Sequence, residues 1–412
     1  MQQAQTSNIF NKAVLISAVG YFVDLYDLIL FNVVKEKSLA DLGFTGEAYR
    51  VLEVSLLNYQ MWGMLTGGLI WGILGDRKGR ASVLFGSILL YSLANIANAF
   101  VTNIPAYALC RFLAGVGLAG ELGAGITLVL ESMDKEKRGY GTMLIVTLGA
   151  LGAVVASQVG QLNWKIAYII GGVMGLLILF MRVRGLESGM FKEMKGRRVN
   201  QGNLLMLLSP PKRFFRYLSC ILIGLPVWFT IGILVNLSKR FVPHMGLDPA
   251  AISMGNCIMY TYLGLSCGDL LSGLFSQFFR NRKKVIYGYL TANAILCVVY
   301  LFSREISVSW FYMLCFLLGA ATGYWALFVT IAAEQFGTNL RSTVANTVPN
   351  FVRGALPLIA TAYLFLEKEF LGDSVLAALV VGFCCMVLAF IGASTVHETF
   401  GKDLNYLEEH KV

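Results

Sequence analysis

The 412-residue sequence predicts an all-α membrane protein in which twelve transmembrane helices form two six-helix repeats and both termini lie in the cytoplasm. Three observations predict this architecture. Hydrophobic residues make up 57% of the chain and charged residues only 14%, which is more apolar and less charged than a soluble domain. Apolar runs of roughly twenty residues follow one another along the chain. Short motifs of the first half recur in the second half at a nearly constant spacing.

The apolar runs set the predicted helices in order. The first run is expected to remain in the protein, because it is too long for the apolar core of a signal peptide and carries Asp24 and Asp27. An even number of runs agrees with both termini lying on one side of the membrane. The predicted helices span residues 10–34, 51–74, 82–101, 105–130, 140–161, 166–183, 217–238, 251–278, 285–302, 309–333, 343–366 and 374–396.

One long polar stretch divides the chain. Residues 184–216 are dense in Lys and Arg and are broken by a Pro-Pro pair, which a helix interior disfavours. This stretch is expected to be a cytoplasmic linker between an N-terminal six-helix half, residues 1–183, and a C-terminal six-helix half, residues 217–396. Residues 397–412 then form a cytoplasmic tail.

Two repeated motifs support this division. Residues 72–82 have a degraded counterpart in residues 273–283, and the motif Phe-Leu-x-Gly at 112–115 recurs at 316–319. Two separate matches at nearly the same spacing indicate duplicated halves. In membrane proteins built from such repeats, a solute site lies near mid-membrane where the repeats meet.

The net charge of +9 reflects topology rather than a polyanionic partner, because the basic residues concentrate in alternate loops. This asymmetry places those loops in the cytoplasm, and no nucleic-acid partner is expected. The basic residues on that side include Arg77, Lys78, Lys135, Lys137, Arg280, Arg282, Lys283 and Lys284.

Cysteines and histidines give no sign of a cofactor. The eight cysteines fall inside apolar runs without a C-x-x-C spacing, so neither a disulfide framework nor a metal site is expected. His244, His397 and His410 are isolated in loops or in the tail, which argues against a histidine metal site or a catalytic triad. No cofactor and no enzymatic activity are predicted.

A short charged loop lies between the second and third runs, with the sequence Gly-Ile-Leu-Gly-Asp-Arg-Lys-Gly-Arg at 72–80. It closely resembles the G-x-x-x-D-R-x-G-R loop of the major facilitator superfamily of transporters. The resemblance implies the major facilitator fold, with two halves that rock around a central site. It also implies a cytoplasmic gate of charged helix ends that pair when the site faces outward. The gate residues carried over in this way are Gly72, Asp76, Arg80, Glu131, Arg138, Glu334 and Arg341.

Charged residues deep in apolar helices are costly, so each one is a candidate for function. Asp24 and Asp27 lie on one face of the first helix. Asp27, in Leu-Tyr-Asp, resembles the G-Y-D of proton-coupled sugar porters, in which the acid carries the proton. Arg111 opens a glycine-rich segment that matches the fourth helix of sugar porters and metabolite:proton symporters, which implies that it is the partner of the first-helix aspartate. Glu121 of that segment is placed near mid-membrane, in the proton path or at the solute. A permanent ion pair is the alternative for Asp27.

Arg353 precedes Gly354 and Pro357 in an arrangement that looks like the eleventh helix of organic anion transporters, in which an arginine faces the substrate. This implies an anionic or zwitterionic solute. The alternative is an internal pair with Asp269, which is similarly deep in the eighth helix. The other candidates for solute binding are Trp228, Asn236, Tyr324, Trp325 and Asn350.

The sequence therefore predicts a proton-driven importer of a small anionic or zwitterionic solute that works by alternating access. An exporter that exchanges protons and an uncoupled facilitator of the same fold remain alternatives, although the fifth helix lacks the proline of the G-x-x-x-G-P-x-x-G-G element of exporters. The expected partners are the solute, protons and the lipid bilayer. We expect a monomer that resides in a bacterial inner membrane.

Overall fold

The computed structural model describes residues 12–78, 80–133, 137–186, 205–402 and 408, and these are helical through most of their length. The α-helices longer than four residues are α1 Lys12–Asp41, α2 Gly46–Lys78, α3 Arg80–Asn98, α4 Ile104–Leu118, α5 Glu121–Ser132, α6 Arg138–Val159, α7 Trp164–Leu186, α8 Pro211–Phe229, α9 Met254–Phe278, α10 Arg282–Phe302, α11 Val308–Thr322, α12 Trp325–Glu334, α13 Thr338–Gly354, α14 Leu356–Phe365 and α15 Ser374–Thr395. A π-helical turn, Thr230–Val235, continues α8, and another, Leu366–Leu371, continues α14.

Nine helical segments within the described residues are long and apolar enough to cross a membrane. The predicted all-helical, multi-pass membrane protein is therefore confirmed, whereas the number of twelve helices, the side of the termini and the division into two halves stay predictions. The segments are Val14–Asp41, Ile104–Thr127, Gly139–Val159, Trp164–Met181, Pro211–Val235, Arg282–Phe302, Val308–Glu334, Asn339–Leu371 and Ser374–Thr395.

Two predicted helices are interrupted at corresponding points of the repeat, and the predicted helix 343–366 is also divided, at Ala355, into α13 and α14. The run 105–130 is divided at Ala119 and Gly120 into α4 and α5, and the run 309–333 is divided at Gly323 and Tyr324 into α11 and α12. Hydrophobicity does not reveal these breaks, because both sides of each break are apolar. The breaks are separated by the same number of residues as the repeated Phe-Leu-x-Gly motifs, so the repeat extends to backbone geometry.

The close contacts that glycines make between neighbouring helices are also repeated in the two parts of the chain. A Cβ atom added at Gly63 on α2 would overlap the carbonyl of Phe112 on α4, and one added at Gly264 on α9 would overlap the carbonyl of Phe316 on α11. Small residues let membrane helices approach backbone to backbone. The α2–α4 pair and the α9–α11 pair are therefore built alike, as the repeated motifs predict.

The N-terminal part, residues 12–186, meets the C-terminal part, residues 205–402, along two seams, where α2 packs against α13 and α6 against α9. The bundle has an α1–α2 end, where Trp164 Nε1 donates to Asp41 Oδ2 at 2.7 Å, and an opposite α2–α3 end. Near the α2–α3 end, Thr330 donates to Thr142 across the seam at 3.0 Å. Side chains join the two parts on both sides of the bundle centre.

Candidate functional site

A small cavity lies at the centre of the bundle, where the two parts meet. About 20 Å³ of it is open to the centre of a water molecule, which is roughly the space that one water needs. Tyr21, Leu25 and Val146 line it from the N-terminal part, and the remaining lining residues come from the C-terminal part: Val227, Trp228, Ile231, Tyr262, Leu265, Trp325 and Arg353. This cavity has room for about one water molecule, so a larger solute requires the lining side chains of the two parts to move apart.

Arg353 supplies a buried positive charge to this cavity, with 1% of its surface exposed. Its Nη2 donates to the hydroxyl of Tyr21 at 3.2 Å, and its Nη1 approaches Asn350 Oδ1 at 3.4 Å. Its Cζ lies 5.5 Å from the centre of the Trp325 ring, within cation–π range. Arg353 Nε has no hydrogen-bond partner among the described residues. The guanidinium thus keeps an unused donor.

One buried acid, Asp24, lies within electrostatic range of this cation, and a second buried acid, Glu121, lies within range of Asp24. Asp24 on α1 is fully buried, and neither of its carboxylate oxygens has a hydrogen-bond partner within the described part of the chain. The charges that act on Asp24 are Arg353, from the other part of the protein, and Glu121. Glu121 is the first residue of α5, directly after the break at Ala119 and Gly120. Asp24, Glu121 and Arg353 therefore converge from three helices.

Asp27 belongs to a second cluster, inside the N-terminal part. It is fully buried, and Arg111 on α4, Asn95 on α3 and Asp24 lie within electrostatic range of it. Arg111 Nη2 donates to Asn95 Oδ1 at 2.8 Å, and its Cζ lies 4.8 Å from the Tyr168 ring centre. Asp27 accepts no hydrogen bond from the described residues. Arg111 therefore acts on Asp27 through its charge, while asparagine and tyrosine hold its guanidinium.

The close fit around Asp27 depends on a glycine. A Cβ atom added at Gly171 on α7 would overlap Asp27 Oδ1. Helices α1, α3, α4 and α7 thus surround this pair, and both side chains point into the bundle rather than toward lipid. The structure buries both Asp27 and Arg111 in this cluster, and their partnership in proton coupling stays a prediction.

Asp269 was the alternative partner predicted for Arg353, and in the structure it bonds to the backbone of another helix. Its Oδ1 accepts a hydrogen bond from the backbone N–H of Ala326 at 2.9 Å, at the start of α12. An acid at a helix N-terminus satisfies backbone donors that would otherwise be unpaired. Asp269 therefore stabilises the helix that begins after the break at Gly323 and Tyr324, and Arg353 is oriented by Tyr21, Asn350 and Trp325 instead.

Of the other residues predicted to bind the solute, two line the cavity and two do not. Trp228 and Trp325 line the cavity, with their ring centres 6.5 Å apart at an angle of 74°. Asn236 accepts from Lys35 at the α1–α2 end, and the Tyr324 hydroxyl donates to the carbonyl of Ile223. These two residues lie outside the described lining.

Asn350 links the two parts at the break in the N-terminal part. Its Nδ2 donates to the carbonyl of Ala119 at 2.8 Å and to the carbonyl of Asn346 at 2.8 Å. Because α4 ends at Leu118, a backbone carbonyl near the break is available to a partner outside its own helix. The Asn350–Ala119 bond therefore belongs to the contact between the parts rather than to the cavity.

Three residues of the predicted cytoplasmic gate, Gly72, Glu334 and Arg341, lie near the α2–α3 end, and their role as a gate stays a prediction. Glu334 Oε1 lies 3.0 Å from Arg282 Nη2, and both side chains are buried. Gly72 approaches Thr347 of α13, and Arg341 is also buried. The side chains of four other gate residues lie outside what the structure describes: Asp76, Arg80, Glu131 and Arg138. Sequence analysis did not single out Arg282, although it belongs to the basic counterpart of the 72–82 motif.

The α1–α2 end carries a charged cluster that sequence analysis missed. Glu53 Oε2 lies 2.7 Å from Lys35 Nζ, and Glu53 Oε1 lies 3.7 Å from Arg240 Nη2 of the other part. Arg240 Nη1 also lies 3.0 Å from Glu367 Oε2. These charges lie where apolar runs end, so the sequence suggests loop residues. No group of three His, Cys, Asp or Glu side chains suited to a metal occurs among the described residues.

Glu53→Gln is expected to favour conformations that are open at the α1–α2 end. The side chain of Lys35 is only 2% exposed, so the closed form would then hold a buried ammonium without its carboxylate. Breaking a buried pair costs about 3 kcal/mol or more, which is roughly a hundredfold in the ratio of closed to open protein. Spin labels at Glu47 and Ala250, in a protein whose exposed Cys267 and Cys384 are serine, would report a longer distance by pulsed electron paramagnetic resonance.

Glu36→Gln is the matched control. Glu36 also bonds across the seam, to Lys239 at 2.7 Å, but its side chain is 58% exposed. An exposed pair contributes only about 0–1 kcal/mol, so the label distance should hardly change. Equal distances in the two variants would contradict a closing role for the buried cluster.

Comparisons with known proteins agree with this arrangement. A family model described as "Major Facilitator Superfamily" matches residues 17–361. The chain is 24% identical over 362 residues to the "Sialic acid transporter NanX" of Escherichia coli (strain K12), which covers 85% of this chain and 86% of that protein. It is 27% identical over 342 residues to the "3-(3-hydroxy-phenyl)propionate transporter" of the same organism, covering 79% and 82%.

A solved structure has the same fold. The proton:xylose symporter XylE bound to 6-bromo-6-deoxy-D-glucose superposes with a TM-score of 0.72, and the match covers 97% of this chain and 98% of that chain. Sequence identity is 17%, so this likeness concerns the fold alone.

Proposed function

Since the chain belongs to the Major Facilitator Superfamily, we propose that it imports a small organic anion or zwitterion by proton symport with alternating access. It is a membrane transporter and not an enzyme. The proposed protein has twelve membrane-spanning helices in two six-helix halves, with both termini and the α2–α3 end in the cytoplasm. A bacterial inner membrane is the proposed location, because both curated relatives are bacterial.

The single observation that carries this proposal is the place of Arg353. It is buried at a cavity between the two parts, keeps an unused donor, and is held by a phenol, an amide and an indole ring. A guanidinium offers a planar fork of donors that suits a carboxylate. The relatives named for sialic acid and for 3-(3-hydroxy-phenyl)propionate also support an organic acid as the solute.

The charges around the cavity support proton coupling. Asp24 and Glu121 converge with Arg353, so an entering anion would add a further negative charge to a buried site. Such a charge is expensive where water is excluded. If Asp24 binds a proton when the anion arrives, the site keeps its net charge and both species cross together. This balance favours symport over exchange of an anion against a proton.

Asp27 and Arg111 supply the second proposed proton site. Their carboxylate and guanidinium balance each other, yet no hydrogen bond locks them together. A change in the position of α4 relative to α1 would alter the field of Arg111 at Asp27 and so change its proton affinity. We propose that the rocking of the parts makes this change.

Alternating access is supported by the links on both sides of the cavity. The Glu53 cluster joins the parts at the α1–α2 end, and the Asn350–Ala119 and Thr330–Thr142 hydrogen bonds join them toward the α2–α3 end. Each cycle would release one set of links and keep the other. The closed cavity then corresponds to an intermediate between the outward-open and inward-open forms.

A transport assay tests the proposal. Proteoliposomes that contain the purified protein would receive labelled organic acids, amino acids and sugars under an imposed pH gradient. We expect one acidic or zwitterionic compound to accumulate inside the acid-outside vesicles, and a protonophore to prevent it. Loss of preloaded solute under this gradient would identify an exporter. Equilibration without accumulation would identify a facilitator and contradict symport.

A further inference from the structure

We propose that the solute is a flat ring that bears one carboxylate, with the carboxylate on Arg353 and the ring against Trp325 and Trp228. This inference rests on the proposed transport of an organic anion and narrows its chemical class. It excludes polyhydroxylated acids, which the family relationship alone leaves open.

The carboxylate end is defined by Arg353 and Tyr21. The Arg353 guanidinium already donates to the Tyr21 hydroxyl, and its Nε has no partner among the described residues. A carboxylate that accepts from this guanidinium would have the Tyr21 hydroxyl beside it as a further donor. One strong anion site is therefore present, which suits one carboxylate.

The ring end is defined by two tryptophans that lie almost at right angles. Trp325 lies next to Arg353 on one side and next to Trp228 on the other, with the ring centres 6.5 Å apart. Trp228 Nε1 is buried and has no hydrogen-bond partner within the described residues. Aromatic faces and edges arranged in this way favour a planar aromatic ring, through stacked and edge-to-face contacts. Opening of the seams would provide the room that the ring needs.

The rest of the lining opposes a sugar-like solute. Each hydroxyl that loses water must find a partner, or its burial costs free energy. Apart from Arg353 and the aromatic residues, the lining consists of aliphatic side chains that offer no such partner: Leu25, Val146, Val227, Ile231 and Leu265. A polyhydroxylated acid could pair its carboxylate with Arg353 and a few hydroxyls with Trp228 Nε1, Tyr21 or Tyr262, but its remaining hydroxyls would face hydrocarbon.

Competition binding to the purified, full-length protein tests the inference. Labelled benzoate is the probe, and nicotinate, benzamide, gluconate and N-acetylneuraminate are the competitors. We expect nicotinate to displace benzoate, because it keeps both the ring and the carboxylate. Benzamide lacks the charge and the two hydroxylated acids lack the flat ring, so all three should compete at least about tenfold less well.

A matched pair of variants locates the ring. Trp325→Leu should weaken benzoate binding about tenfold, whereas Trp310→Leu, at a tryptophan that is 49% exposed, should leave it unchanged. Thermal unfolding of both variants would verify that they fold, and the competition on the unaltered protein stands without either variant.

Three results would overturn the inference, namely no binding of benzoate, displacement by gluconate or N-acetylneuraminate as effective as that by nicotinate, or equal binding by both folded variants. Proton-driven accumulation of a hydroxylated acid would reject the ring but keep the proposed function. Accumulation of a neutral solute alone would reject both.

Discussion

Asp27→Asn is expected to abolish uphill accumulation of the solute while exchange of labelled for unlabelled solute continues. Asparagine keeps the size of the side chain and fits the space beside Gly171, but it cannot bind and release a proton. Without proton binding at Asp27, the proton gradient can no longer drive the proposed movement of the parts. Exchange requires only that the loaded protein alternates between its two open forms, which a neutral side chain beside Arg111 permits.

The measurement compares accumulation under an imposed pH gradient with counterflow exchange in the same proteoliposomes. Asp41→Asn is the matched control, because Asp41 lies on the same helix but at the exposed end, where it accepts from Trp164. It should accumulate solute as the unaltered protein does. Equal accumulation by Asp27→Asn would remove Asp27 from proton coupling and leave Asp24 and Glu121 as the remaining candidates.

Arg353→Ala is expected to weaken an anionic solute far more than a neutral analogue of the same shape. Truncating one member of a buried, hydrogen-bonded charge pair costs about 2–5 kcal/mol, so affinity for the anion should fall at least about 30-fold. A neutral analogue never forms the ion pair and should lose much less. Arg353→Lys should recover part of the loss, because it keeps the charge but not the planar fork.

Equilibrium binding of the accumulated acid and its amide would provide the comparison. Arg304→Ala is the control, since Arg304 lies in an exposed connection after α10 and its Nη1 donates to the nearby carbonyls of Leu301 and Ser303. A parallel decrease for acid and amide in Arg353→Ala would indicate that Arg353 supports the packing of α13 and does not read the charge of the solute.

The sequence predicted those features that depend on a short stretch of chain, namely the membrane helices and the charged residues inside them. Apolar runs predict membrane helices because the cost of an exposed peptide group in lipid is high. Charges inside such runs are rare, so Asp24, Asp27, Arg111 and Arg353 could be singled out, and the structure buries all four. The pairing of Asp27 with Arg111 followed from resemblance, because nothing in the spacing along the chain joins α1 to α4.

Contacts between distant segments could not be predicted in this way. Glu53 and Arg240 each look like the charged end of an apolar run, and only the assembled bundle brings them together. The breaks at Ala119 and Tyr324 were missed for a related reason. Asn350 donates to the carbonyl of Ala119 at the first break, and Asp269 accepts from the backbone N–H of Ala326 just after the second. Both residues lie far away in the sequence from the break that they stabilise. Asn236 was expected at the solute because its helix lines the pathway in the family that the sequence resembles, and in this conformation Asn236 accepts from Lys35.

The Asn350–Ala119 hydrogen bond has a consequence for hydration. In the proposed cycle the parts separate at the α2–α3 end, and the carbonyl and the amide then lose their hydrogen bond and must be satisfied by incoming water. Opening on this side would therefore take up water, so the open form would carry more bound water than the closed one. Excluded osmolytes, which favour compact states, would accordingly oppose it, so the balance between the two forms becomes sensitive to the activity of water itself.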